Sequence, residues 1–178
     1  MKKVLLWILG VLVVLVVAIL AFAATKPDTF HVERTATINA PPEKIFALIN
    51  DFHRWESWSP YERRDPAMNR IHRGAVSGSG AVYEWDGNSD VGAGRMEILE
   101  ATSPSKITIR LNFMRPFENE STAEFTLEPT DSSTNITWAM HGPNLYIGKV
   151  LSVFFSMDGM VGKDFEAGLS NLKSLTEE

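Results

Sequence analysis

The stretch Val4–Ala24 contains no charged residue. At 1.5 Å of rise per residue it is long enough to cross the ~30 Å hydrocarbon core of a bilayer. It reads as a transmembrane helix, with residues 1–25 forming an anchor and residues 26–178 a single domain. A cleaved secretory signal is the alternative, because Lys2 and Lys3 make a positive n-region and Ala21-Phe22-Ala23 resembles a small-x-small cleavage site. Length argues against cleavage, since the apolar core of a signal is typically about 7–15 residues.

Charge sets the expected orientation. Lys2 and Lys3 precede the span, whereas Lys26 behind it is offset by Asp28. The N-terminus is therefore expected in the cytoplasm and the body of the chain on the far side, which in a bacterium is the periplasm or outer surface. The chain has 17 basic and 22 acidic side chains, a net charge of −5. Setting Lys2 and Lys3 aside makes the remainder more acidic still, which disfavours nucleic acid as a partner and electrostatic adhesion to anionic lipid. Without cysteine there is no disulfide, thiolate nucleophile or Cys-ligated metal. The tether Thr25–Thr29 is short, so the domain is expected to ride close to the membrane.

Alternation predicts a first strand, with Phe30, Val32, Ala36 and Ile38 on one face and His31, Glu33, Thr35 and Thr37 on the other. Ala40-Pro41-Pro42-Glu43 suits a helix start, and Ile45, Phe46, Leu48 and Ile49 supply its buried face. The aromatic stretch Asp51–Tyr61 reads as a second short helix or turn. Period-two runs follow at Ala81–Asp86, Arg95–Leu99, Ile107–Phe113, Ala123–Leu127 and Ile136–Met140, separated by turn formers such as Asp86-Gly87-Asn88 and Pro129–Ser133. This is the pattern of an antiparallel meander, interrupted only where Leu99 breaks a polar face. Val150, Phe154, Met157, Val161, Phe165, Leu169 and Leu172 then recur at intervals of three and four, predicting one long amphipathic helix. The element order is that of an α+β domain with a helix across one face of a sheet.

That order, together with Ile38-Asn-Ala-Pro-Pro-Glu-Lys-Ile-Phe46, Trp55-x-x-Trp58-Ser-Pro60 and Asp164-Phe-Glu-x-Gly-Leu-x-x-Leu172, resembles the START-like superfamily of helix-grip proteins. More narrowly it is similar to the bacterial SRPBCC proteins of polyketide cyclase/dehydrase type. The resemblance extends from about Phe30 to Leu172. It implies a curved antiparallel sheet of about seven strands gripping the long helix, and an apolar cavity that holds lipids, polyketides or sterols in different relatives. The residues expected to wall such a cavity are Tyr83, Trp85, Phe113, Phe125, Trp138 and Met140 from the strands and Phe154, Met157, Met160, Val161 and Phe165 from the helix. The simpler alternative is that these side chains fill a solid core. Gly159, Gly162 and Gly168 in the helix add to the case for a cavity, since each weakens the helix by about 1 kcal/mol relative to Ala and either removes volume on one side or lets something approach closely.

No catalytic set stands out. His31, His53, His72 and His141 lie on different predicted elements and form no H-x-x-x-H or H-E-x-x-H pair, so neither metal nor cofactor is expected. Ser59 lacks the flanking glycines of a nucleophile elbow. Gly78-Ser-Gly80 and Gly92-Ala-Gly94 open no helix and read as hairpin ends rather than phosphate loops. For acid–base chemistry in a pocket the candidates are Arg110, Glu124, Asp158 and Asp164, with Asp158 foremost and a helix-capping or solvent-facing role its alternative. Three functions follow from the sequence: a membrane-tethered, non-enzymatic binder of a hydrophobic small molecule or lipid; a cyclase or dehydratase; and an envelope protein-interaction domain with an exposed apolar patch around Trp55 and Trp58.

Overall fold

A computed structural model describes residues 2–177. Helix α1 (Lys2–Ala24) is long and apolar enough to cross a membrane, and its side chains are exposed almost throughout. The rest forms strand β1 (Thr29–Ile38), helix α2 (Pro42–Ile49), a 3-10 turn (Phe52–Ser57), six further strands and two helices. The strands are β2 (Asn69–Gly74), β3 (Ala81–Asp86), β4 (Ala93–Thr102), β5 (Lys106–Arg115), β6 (Asn119–Pro129) and β7 (Thr134–Pro143). Helix α3 (Tyr146–Leu151) and helix α4 (Met157–Glu177) complete the chain.

All seven strands join one antiparallel sheet in the order β1-β7-β6-β5-β4-β3-β2. Five of its six neighbouring pairs are consecutive hairpin partners, as short turns require; only β1 returns to close against β7. The register slips beside Leu99, between Ile98 and Glu100. The residue that breaks the alternation is thus the extra residue of a bulge, half-exposed between two ordered faces. Strand β2 carries too little alternation to be read from sequence: Asn69, His72 and Arg73 give it no apolar face.

The inward faces make the core. Ile107 and Ile109 of β5, Phe125 and Leu127 of β6, and Ile136 and Trp138 of β7 are buried against Phe165, Leu169 and Leu172 of α4. Pro42 opens α2, where a missing N–H costs nothing, and Glu43 complements the helix dipole. At the other end of α2 the indole N–H of Trp55 donates to the Ile49 carbonyl at 2.9 Å and that of Trp58 to the Leu48 carbonyl at 3.1 Å. Both tryptophans thereby satisfy orphan carbonyls of the last turn and are buried, Trp58 completely. The exposed Trp55/Trp58 patch expected of an interaction domain is absent for this reason.

The single long C-terminal helix expected from spacing is two helices. The chain leaves α3 at Leu151, turns through Ser152–Phe155 and restarts at Met157. Helix α4 is fixed across the sheet by Arg34, whose guanidinium donates to Asp158 at 2.7 Å and to Glu166 at 2.7 Å, and by Lys44, which donates to the Thr176 carbonyl at 2.7 Å. Two of its glycines permit this approach. A Cβ at Gly162 would overlap the Arg34 guanidinium, and one at Gly168 would lie 2.7 Å from the Trp138 ring. The close neighbours are therefore the protein's own side chains.

Register also decides which turns share an end of the sheet. Thr29 of β1 pairs with Pro143 of β7, Phe113 of β5 with Asn119 of β6, and Asp86 of β3 with Ala93 of β4. The start of β1, the end of β7, the β5–β6 turn and the β3–β4 turn therefore lie together, at the end where α1 joins. The tether there is clasped. Asn144 donates its backbone N–H to the Asp28 carbonyl at 2.7 Å and its side-chain amide to Pro27 at 3.2 Å, and Lys149 pairs with Asp28.

Candidate functional site: a cavity between helix α4 and strands β3–β5

The aromatic side chains divide the space under α4 into two parts. On the β6–β7 side, Trp138 stacks on Phe165 with ring centroids 4.0 Å apart, Phe125 stacks on Trp138 at 4.9 Å, and Trp58 meets Trp138 edge-on at 5.7 Å. These rings fill the volume. On the β3–β5 side the filling stops, leaving a cavity of about 470 Å3. Its size falls within the range of ordinary small-molecule sites, about 300–1,000 Å3.

Of the residues expected to wall a cavity, Tyr83, Trp85, Phe113, Trp138 and Met140 on the sheet and Met160, Val161 and Phe165 on α4 line it. Three do not. Phe125 faces inward but is fully buried within the Trp55, Trp58 and Trp138 cluster. Met157 packs against the core at the first turn of α4. Phe154 lies in the turn between α3 and α4 and is 61% exposed, because the helix whose face it was expected to share is interrupted there. The remaining apolar wall, including Trp55, Met68, Met96 and Leu111, comes from elements whose apolar residues were visible in sequence but not their convergence.

One side of the wall is polar, and the sequence did not disclose it. Glu62, 6% exposed, accepts a hydrogen bond from the Tyr83 hydroxyl at 2.6 Å and from Arg70 Nε at 2.7 Å. Arg70 also donates to the Met68 carbonyl at 2.8 Å, so the ion pair is anchored to the backbone. Burial, followed by the Glu62 hydrogen bond, pushes the Tyr83 phenol far above its usual value and keeps it a donor. Nearer the mouth, Arg64 donates to Asp164 at 2.5 Å, and burial followed by Asp164 raises the Tyr61 phenol likewise. Glu62 and Tyr61 lie in an aperiodic segment, Pro60–Met68, that carries no local signal for an inward side chain.

The acid–base candidates sort differently from expectation. Asp164, not Asp158, lines the cavity. Asp158 sits in the first turn of α4, exposed and paired with Arg34, whose hydrogen bond holds its carboxyl below the usual carboxylate range. A general acid near neutrality needs the opposite shift. Glu124 pairs outside with Lys106 at 2.9 Å, and Arg110 alternates with the buried Ile109 on the outer face. The histidines come together as two stacked pairs, His31 with His141 at 6.4 Å and His53 with His72 at 4.1 Å. Among the described residues no three His, Asp or Glu side chains are grouped to hold a metal ion.

Fold and cavity together define a helix-grip protein with an internal cavity. Residues 29–177 match the family described as polyketide cyclase / dehydrase and lipid transport, and the chain belongs to it. No curated protein matches the sequence. Among solved structures, the chain is similar to protein CV1439 from Chromobacterium violaceum, with 15% identity and a TM-score of 0.59 over 86% of this chain and 99% of that one. It is also similar to the di-domain ARO/CYC StfQ from the steffimycin biosynthetic pathway, at 13% identity and a TM-score of 0.64, over 84% of this chain and 51% of that one. The di-domain ARO/CYC BexL from the BE-7585A biosynthetic pathway gives 15% identity and a TM-score of 0.63, over 89% of this chain and 53% of that one. The chain thus spans about half the length of each di-domain protein, and at these identities the likeness is one of fold.

Proposed function

We propose that this protein is a membrane-tethered binder of a hydrophobic small molecule or lipid, held in the cavity between α4 and β3–β5. In this reading α1 spans the bilayer with its N-terminus in the cytoplasm, and the domain works on the far side. The observation that carries it is a cavity of about 470 Å3 walled mainly by aromatic and aliphatic side chains, with a few polar groups, Glu62, Tyr83 and Asp164 among them, set into the wall. Such a wall gives apolar affinity and a few orienting contacts. The family's description, which includes lipid transport, agrees with this use. Native mass spectrometry of the full chain released from membranes tests it: a co-purifying hydrophobic molecule at one per chain is expected, and a chain that neither carries nor accepts such a molecule contradicts the proposal.

A second reading, a cyclase or dehydratase acting on a polyketide-type substrate, is favoured by the Glu62–Tyr83 pair on the cavity wall and by the likeness to StfQ and BexL. There a carboxylate would take a proton from carbon next to a carbonyl while a phenol hydrogen-bonds the oxygen that becomes negative. It ranks second because both Glu62 oxygens already accept hydrogen bonds, one from Tyr83 and one from Arg70. Turnover of a poly-β-carbonyl substrate analogue, lost in both Glu62→Gln and Tyr83→Phe, would establish it; no turnover by the unaltered chain would exclude it for that substrate class.

A further inference from the structure

The exposed apolar side chains of the domain are not scattered. Outside α1, and among the described residues, every exposed large apolar side chain except Val76, Leu99 and Leu175 belongs to the end of the domain where α1 joins. Met114 and Phe117 flank the β5–β6 turn; Leu145, Tyr146, Ile147 and Leu151 belong to α3 and its approach; Phe154 and Phe155 form the turn before α4. Met160 follows in the first turns of α4 and is both half-exposed and part of the cavity wall. Arg115 and Pro116 of the β5–β6 turn and Ser89–Gly92 of the β3–β4 turn line the cavity from the same end. The end of the cavity nearest α1 is thus bordered by this apolar rim, with Arg115 and Asp90 as charged lining residues among it.

We infer that this rim is a second membrane contact, seated in the lipid beside α1, so that the cavity opens against the bilayer and not into bulk water. The inference rests on the reading of α1 as a membrane span. Three observations select lipid as the occupant. The rim is continuous with α1: α3 packs against α1, and the Tyr146 hydroxyl donates to the Leu20 carbonyl at 2.9 Å. This bond sets α3 at the level of the last turn of α1, the depth at which interfacial helices bury an apolar face in the headgroup–acyl boundary, with a tyrosine at the water interface. Second, the charges of α3 and the tether are compensated, and Arg115 of the rim is paired with Asp86. Lys149, on α3, is buried and paired with Asp28, and Lys26 lies over the Phe22 ring at 4.6 Å. Third, the clasp of Asn144 and Lys149 on the tether fixes the rim beside α1, so a chain anchored through α1 brings Phe154 and Phe155 to lipid without a further hinge.

The absence of cysteine makes the test clean, because single cysteines can be introduced and spin-labelled with no background. The full chain is reconstituted in phosphatidylcholine/phosphatidylglycerol vesicles with a label at Phe117→Cys, Ile147→Cys or Phe154→Cys. Leu12→Cys in α1 serves as the lipid control and Val76→Cys, at the opposite end of the sheet, as the water control. Relaxation by dissolved oxygen over relaxation by a water-soluble nickel chelate is expected to be several-fold higher at positions 117, 147 and 154 than at 76, and to approach the value at 12. Values at those three positions equal to that at 76, with position 12 in lipid, overturn the inference and leave the span reading intact. Dipolar broadening at 154 in fully labelled protein that disappears on dilution with unlabelled chain assigns the rim to a second copy and also overturns it. A label at position 12 exposed to the nickel chelate overturns the span reading and the inference with it. None of these outcomes depends on what the cavity binds.

Discussion

Tyr83→Phe isolates the polar side of the cavity wall with a change of one oxygen. The lost hydroxyl donates at 2.6 Å to Glu62, and both residues are buried, so no water replaces it freely. A hydrogen bond to a charged group contributes about 1.5–3 kcal/mol, and the remaining bond from Arg70 Nε at 2.7 Å keeps Glu62 paired. A loss of about 2 kcal/mol is therefore expected, which for a domain of this size lowers Tm by about 4–8 °C. Glu62→Gln removes the charge that Arg70 neutralises and costs about 3 kcal/mol, the low end for a broken buried pair because Arg70 is partly solvated. The double variant is expected to cost less than the sum, with a coupling of about 1–2 kcal/mol. Thermal melts of the full chain in detergent, followed by tryptophan fluorescence, read all four corners of the cycle. Unchanged or raised stability in Tyr83→Phe with no coupling to Glu62 would refute the structural account of this pair.

Gly168→Ala places a Cβ 2.7 Å from the Trp138 ring within a stacked aromatic core and is expected to destabilise by about 1–3 kcal/mol despite the helix-propensity gain. Gly162→Ala meets the guanidinium of Arg34, which can swing toward solvent but then loosens its pairs with Asp158 and Glu166, so it should destabilise, though less than Gly168→Ala, in the same melts. His72 has its pKa lowered from 6.5, by burial first and by the stacked His53 second. Because the unfolded chain binds that proton more readily, the stability tied to a neutral His72 is present above about pH 6.5 and is lost as pH falls through the lower folded value. Melts at pH 7.5 and 5.5 should diverge for the parent and converge in His72→Asn; an equal difference in both contradicts the assignment.

The sequence disclosed those parts of the fold whose determinants are local. Alternation in Ile107–Phe113 and Ala123–Leu127 marks strands because one face is buried, and Pro41-Pro42-Glu43 marks a helix start through backbone chemistry alone. Strand β2 was hidden, since an edge strand with Asn69, His72 and Arg73 exposes both faces. The α3–α4 break was hidden too. Its apolar residues keep helical spacing while Phe154 turns outward, and periodicity cannot tell a face that meets a core from one that stays exposed. For the cavity, apolar wall residues such as Trp85 and Met160 were legible as inward-facing positions. Which of them bound empty space and which, like Phe125, fill the core depends on packing between distant elements. Glu62 was illegible for the same reason: its partners Arg70 and Tyr83 are brought to it by tertiary structure, and nothing in Tyr61-Glu62-Arg63-Arg64 points inward.

A binding site is proposed in the space between α4 and β3–β5. Leu111, half-buried on β5, lines that space without belonging to the fully buried core, so Leu111→Trp fills it from the wall with little disturbance elsewhere. The most direct measurement is binding of a fluorescent fatty-acyl or polyaromatic probe to the full chain in nanodiscs, compared between the parent and Leu111→Trp at equal stability. Saturable one-to-one binding by the parent that weakens at least tenfold in Leu111→Trp is the predicted result. Equal binding by both chains, or saturable binding by neither, contradicts the account.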